Sequence, residues 1–185
     1  MRLRNIVILA VILAVLVGVF YLVSRPEPTT PPKSIVYVWD IDMDDITHIT
    51  ISLPRDNLSV SFIKIPQGDK FPWFFDDLEQ SPVDANRWGS GIPLLLSGPG
   101  ADRIITEYAT DETLTEYGLI PKPQIAITLT LSDNSTLRIS VGYSTPDGNN
   151  YYVRAPGSNT VATVDYTWYN IMEGLVTHPP YATGS

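Results

Sequence analysis

From Ser34 to about Ile65 apolar and polar residues alternate, with Ile35, Tyr37 and Trp39, then Ile46, Ile49, Ile51 and Leu53, then Leu58, Val60, Phe62 and Ile65 mostly two apart. A period of two sends one set of side chains to one face, the pattern of half-buried strands. Pro54-Arg55-Asp56-Asn57 carries turn residues, so Thr47–Leu53 and Leu58–Ile65 predict an antiparallel hairpin. Phe71 to Phe75 adds an aromatic cluster around Trp73. Between Ser81 and Leu96 the spacing lengthens to three and four through Trp88, Ile92, Leu95 and Leu96, which predicts a helix capped near Ser81 or Asp84 and weakened by Gly89, Gly91 and Pro93.

After the Ser97-Gly98-Pro99-Gly100 turn, Arg103–Tyr108 reads as a short strand and Glu112–Tyr117 as a short helix stopped by Gly118. Strands follow at Gln124–Leu131, Thr136–Val141, Asn150–Arg154 and Thr160–Val164, separated by turns at Ser132–Ser135 and Pro146-Asp147-Gly148. An amphipathic helix from Asp165 to Val176 closes the pattern. The class is α+β: one mainly antiparallel sheet with a few helices on one face. Two successive hairpin-then-helix halves suggest an internal duplication, although no residue-level repeat proves it.

Ahead of this region, Ile6 to Val23 forms an uncharged apolar run, the length a helix needs to cross a bilayer. Arg2 and Arg4 precede it, which orients residues 1–5 to the cytoplasm and the rest to the extracytoplasmic face. The exit from the run, Phe-Tyr-Leu-Val-Ser-Arg-Pro, is bulky, charged and proline-bearing rather than small-x-small, so the run reads as an uncleaved signal anchor. Residues 24–34, with Pro26, Pro28, Pro31 and Pro32, read as a proline-rich spacer. The expected organisation is a transmembrane helix at 6–23, that linker, an α+β domain at 35–178 and a flexible tail at 179–185. The expected location is the cell membrane, single-pass.

Charge narrows the partners. Beyond the apolar run lie 20 acidic and 10 basic residues, a net charge of −10 that repels nucleic acid and anionic lipid. The chain has no cysteine, which excludes disulfides and thiolate chemistry.

Candidate chemistry is sparse. Asp40-Ile41-Asp42-Met43-Asp44-Asp45 resembles the start of a calcium loop but lacks its turn glycine and bidentate glutamate, and its alternation fits a strand end with an acidic outer face, followed by a turn or short cap. Trp73, Phe74, Phe75, Asp76 and Asp77 combine aromatic faces with carboxylates, the mixture that lines a saccharide or small-molecule groove, and equally that of a loop plugging the core. His48 and His178 stand alone, without metal-ligand or acid–base spacing. Serine elbows and phosphate-binding glycine loops are missing from the sequence. Tyr143, Tyr151, Tyr152, Tyr166, Trp168 and Tyr169 serve either as packing or as an amphipathic contact face, with Trp168 and Tyr169 the foremost interface candidates.

Glu116-Tyr117-Gly118-Leu119, then Pro121 and Pro123, Ile139-Ser140-Val141-Gly142, and Tyr151-Tyr152-Val153-Arg154 together resemble domain of unknown function 4340. The Asp45-Ile46-Thr47 strand start, Trp73 and Pro82-Val83-Asp84 fit the same pattern. Some relatives occur beside components of export or gliding machinery, so the resemblance implies an envelope-associated, non-enzymatic role and brings no active site. The expected function is a membrane-anchored, extracytoplasmic interaction module, an accessory subunit of an envelope or membrane complex. Its partners are the bilayer, through residues 6–23, and a membrane or envelope protein, with homo-oligomerisation open. A surface domain binding a small molecule or glycan is the alternative, and an envelope hydrolase a distant third. No cofactor is implied.

Overall fold

The computed structural model describes residues 12–14, 16, 18, 20, 36–89 and 91–182. The chain divides into two units, residues 1–34 and 35–185. In the first, the six described positions are helical and their side chains exposed. Most of the expected membrane helix at 6–23, and all of the linker at 24–34, lie outside the described residues. Among the described residues no helix is long and apolar enough to cross a membrane.

The second unit is built on one eight-stranded sheet. Its strands are β1 (Ile46–Leu53), β2 (Leu58–Lys64), β3 (Trp73–Phe75), β4 (Arg103–Thr106), β5 (Ile125–Leu131), β6 (Thr136–Ser144), β7 (Asn150–Arg154) and β8 (Val161–Asp165). They lie in the order β3-β2-β1-β5-β6-β7-β8-β4, every neighbouring pair antiparallel. The α+β class with a mainly antiparallel sheet is therefore correct. The β1–β2 turn closes at Asn57 and the β5–β6 turn at Asn134, both with positive φ, which asparagine tolerates better than most residues.

Alternation sets the two faces. Ile49, Ile51 and Leu53 of β1, Val60 and Phe62 of β2, Ile125, Ile127 and Leu129 of β5, and Ile139 and Val141 of β6 are all buried in one core. Helix α4 (Tyr166–Thr177) completes that core with Trp168, Tyr169, Met172, Leu175 and Val176. Its N-cap is Asp165, whose carboxylate accepts from the Thr167 amide at 2.6 Å. Thr50, Ser52 and Thr128, on the opposite face, are half-buried. A second, smaller core lies at the β8 end, where Val161 joins Ala109, Leu114 and Leu119. This is why β8 is buried on both faces, Ala162 facing the main core and Val161 the smaller one.

Some local expectations change. The helix expected across Ser81–Leu96 is two helices, α1 (Ala85–Trp88) and α2 (Gly91–Ser97), because Gly89 takes φ +49 and breaks the ladder between them. Asp84 is the cap of α1. Within Asp40–Asp45 no strand end forms, and the turn or short cap expected after it is a 3-10 turn over Met43–Asp45, capped by Asp42, whose carboxylate takes the Asp44 amide at 2.9 Å. Upstream, Tyr37 forms a lone bridge to Gly100 instead of a strand. Helix α3 (Asp111–Glu116) follows its Thr110 cap. Residues 179–182, read from the sequence as the start of a flexible tail, pack onto the domain: Tyr181 bridges Val83 and stacks on Phe75 at 3.9 Å.

Candidate functional site

Strand β3 is the edge where the sequence placed its aromatic–acidic loop. Phe75 is 2% exposed, packed 5.0 Å from Phe62 and capped by Tyr181, so it belongs to the core. Trp73 and Phe74 are half-buried. The carboxylates turn elsewhere. Asp76 Oδ2 lies 2.9 Å from His48 Nε2, on the outer face of β1. Asp77 closes the following turn, accepting from the Ser81 amide at 2.9 Å and the Glu79 amide at 3.1 Å, and the Ser81 amide, then its hydroxyl, hold its carboxyl below the ordinary range. The five expected loop residues are thus not gathered on one surface.

What does gather is an apolar groove of about 480 Å³ beside β3. Its walls are Phe71, Pro72, Trp73 and Phe74 from the β2–β3 connection and the edge strand, Pro82, Val83, Ala85, Trp88 and Gly89 from the α1 region, and Pro93 from α2. Met43, Asp44 and Lys64 complete it. The Lys64 ammonium donates to the Asp44 carbonyl at 2.9 Å and sits 5.9 Å from the centre of the Phe71 ring. Behind the wall the rings form a connected set, with Trp88 5.5 Å from Trp73 and 4.4 Å from Phe62. The groove floor is therefore anchored in the main core while Phe71 stays 57% exposed at its mouth. Sequence reasoning found Trp73 and Phe74 but missed Trp88 and the three prolines. Pro72 and Pro93 each lie within two residues of a tryptophan, phenylalanine or leucine, a density that was visible in the sequence, whereas the only apolar neighbour of Pro82 within two residues is Val83.

Trp168 and Tyr169, the interface candidates, are 6% and 5% exposed. Trp168 donates its indole N–H to the Leu95 carbonyl at 3.0 Å and meets Trp39 edge-on. Tyr169 stacks on Tyr151 at 3.6 Å and donates to Gln124 at 2.9 Å. Burial, followed by the Glu173 carboxylate, holds the Tyr169 phenol well above its usual range. Trp168 fixes α4 to α2 and Tyr169 fixes it to β7 of the sheet, and such buried rings offer no free contact surface. Among the described residues no group of three or more His, Asp or Glu side chains converges as a metal-binding set.

The motif residues of the second half meet in space around the smaller core. Tyr117 stacks on Tyr152 at 4.2 Å, Leu119 is fully buried, and the Tyr143 amide donates to the Tyr117 carbonyl at 2.8 Å. Gly118 has φ +70, and a Cβ there would lie 2.7 Å from the Tyr143 ring. A Cβ on Gly142 would fall on the Tyr117 carbonyl oxygen. These residues lock α3 against β6 and β7.

The family model described as Domain of unknown function (DUF4340) matches residues 97–173. The match spans β4, α3, β5 to β8 and most of α4, including every second-half motif that carried the resemblance, and stops short of Trp73 and the groove. No curated protein and no solved structure matches the chain.

Proposed function

We propose that this chain, with its DUF4340 domain, is a membrane-anchored interaction module whose extracytoplasmic domain docks a protein partner in the groove beside β3, as an accessory subunit of an envelope or membrane complex. The observation that carries this reading is the groove itself: ten of its thirteen wall residues are aliphatic, aromatic, proline or glycine. Exposed apolar surface of this kind marks contact sites. The anchor is supported by the uncharged run Ile6–Val23 and by the exposed apolar side chains of Ile12, Leu13, Leu16 and Phe20. Two three-stranded meanders, β1-β2-β3 and β5-β6-β7, lie back to back through the β1–β5 pair, which supports a duplicated origin for the sheet.

A glycan reading has less support. Asp76 and Asp77 do not line the groove, and a sugar needs polar groups along the wall that only Asp44 and Lys64 supply.

The test is a photoreactive amino acid at position 71 in the full chain, irradiated in native membranes, with position 108 at the opposite edge as the control. Tyr108 is 85% exposed, so the control is as accessible as the probe. A discrete higher-mass adduct from 71 and not from 108 supports docking in the groove. Equal labelling from both, or none, removes the reading.

A further inference from the structure

Of the eight asparagines in the chain, two are followed two residues later by a hydroxyl side chain, in Asn57-Leu58-Ser59 and Asn134-Ser135-Thr136. The residue between is not proline in either case. Asn-x-Ser/Thr is the acceptor pattern for N-linked glycans. So short a pattern carries weight only in the structural setting that the chemistry needs, an exposed loop of a domain outside the cytoplasm.

The fold supplies the exposed loop twice. Asn57 closes the β1–β2 turn at φ +56 and Asn134 the β5–β6 turn at φ +64, and among the described residues they are the asparagines with left-handed backbone. Every residue of both triplets is exposed. Turn geometry accounts for asparagine at each place, because its side chain tolerates that backbone. It does not call for a hydroxyl two residues on. Asparagines that brace other turns make the contrast: Asn149 donates to the Asp147 carboxylate at 3.1 Å, and Asn159 accepts from the Arg154 guanidinium at 2.7 Å. Tyr151 and Val161 stand where their hydroxyl residue would be. The pattern therefore falls on the two exposed left-handed turns and not on the turn asparagines that hold the fold together.

The two turns also lie at opposite ends of the sheet. Strands β1 and β5 pair antiparallel, with Ser52 beside Ala126 and Ile46 beside Leu131, so the turn after β1 and the turn after β5 point away from each other. Neither asparagine lines the groove beside β3. A polar chain on each extends into solvent and leaves that surface open.

We infer that Asn57 and Asn134 are glycan acceptors, each taking a sugar chain from a polyprenyl-diphosphate-linked donor. In the transfer the asparagine amide nitrogen bonds to the anomeric carbon of the first sugar as the bond from that carbon to the diphosphate oxygen breaks. The diphosphate leaves with the electron pair, the amide gives up one proton to solvent, and nothing is oxidised or reduced. The inference rests on the extracytoplasmic placement proposed above, because it requires the domain to meet the donor on that face.

The experiment takes the full chain from native membranes, digests it with trypsin and reads peptides 56–64 and 104–138 by mass spectrometry, since each holds one of the two asparagines and no other. Both are expected to carry added mass in whole sugar residues and to release sugar fragment ions on collision. Thr136→Val keeps Asn134, changes an exposed residue at the start of β6 and removes the hydroxyl; it is expected to lower occupancy at Asn134 by about tenfold or more, whereas Thr136→Ser retains most of it. Asn57 is expected to be unaffected by either variant. An unmodified peptide overturns the inference at its own position, and two unmodified peptides overturn it entirely. A sugar chain that persists undiminished in Thr136→Val is not attached through this pattern and overturns the assignment at Asn134. Protease added to spheroplasts separates this outcome from the placement: if both peptides are unmodified and the domain is digested from outside, the inference falls and the placement stands. If both are unmodified and the domain is protected, the two fall together.

Discussion

Replacing Gly142 by alanine places a methyl group on the Tyr117 carbonyl oxygen, with the Tyr117 and Gly118 carbonyl carbons each 3.1 Å away. All three atoms belong to the backbone, so no side chain can swing aside. The Tyr117 carbonyl is also fixed by the Tyr143 amide that bonds to it. Relief therefore requires β6 to part from the end of α3, which breaks that hydrogen bond and opens the smaller core around Leu114, Leu119 and Val161. Overpacking of this sort costs about 1–3 kcal/mol, and the broken bond adds about 1. Alanine stiffens the unfolded chain, which returns about 0.4–1 kcal/mol. The net loss is about 2 kcal/mol, a large part of the roughly 5–15 kcal/mol that holds a domain together. Urea unfolding of the chain in mild detergent, followed by tryptophan emission, is expected to show a midpoint lower by about 1–2 M at unchanged slope. Gly118→Ala meets a ring that can shift and carries mainly the left-handed backbone penalty of about 1–2 kcal/mol. Gly148→Ala, with φ +74 in open space, isolates that penalty alone. The expected order of damage is 142, then 118, then 148. A Gly142→Ala chain within about 1 kcal/mol of the parent, or one less affected than Gly148→Ala, refutes the close-packed lock.

Three further contrasts follow from the same geometry. Trp88→Phe loses ring contacts but also an unpaired buried donor, so its stability is expected to stay within about 1 kcal/mol of the parent, whereas Trp168→Phe, which leaves the Leu95 carbonyl unpaired, is expected to lose about 2 kcal/mol or more in the same urea titration. Phe75→Ala is expected to cost about 3–5 kcal/mol as a core deletion, and Phe71→Ala at the groove mouth almost nothing, a contrast that thermal melts report directly. The Tyr169 phenol has its pKa raised on folding, so the unfolded chain gives up this proton first; the stabilisation is complete below the ordinary tyrosine value of 10.0 and is lost as pH rises above it. Tyr169→Phe is expected to flatten that alkaline decline, read from unfolding midpoints between neutral and strongly alkaline pH.

The sheet was largely legible because its strands obey a period of two with turn residues between them: Ile49, Ile51 and Leu53 needed no tertiary information to be placed on one face. The pairing of β1 with β5 was not legible, since both read as half-buried strands and only the folded sheet joins them. The helix over Ser81–Leu96 failed at Gly89, where a positive φ outweighs the spacing of the apolar residues around it. At the site, Trp73 was found through its aromatic neighbours, but the carboxylates beside it were grouped with it by sequence proximity alone. Asp76 lies just past the end of β3, where the chain turns, and its carboxylate meets His48 on the neighbouring strand β1 instead of the groove. Trp88 was invisible as a site residue because only the folded chain brings its ring against Trp73 in the groove wall. Trp168 and Tyr169 have the composition of an interface, yet α4 spends them on the core, and buried and exposed aromatics share one sequence signature.

The most direct test of the interaction-module account is the size of the particle that contains the chain when it is solubilised gently from native membranes, compared between the parent and Trp73→Ala. The account expects the parent in an assembly well above the 20.5 kDa of the single chain, and the variant released to the size of the free chain while still folded. A parent that runs as the free chain, or a variant that stays in an assembly of unchanged size, contradicts it.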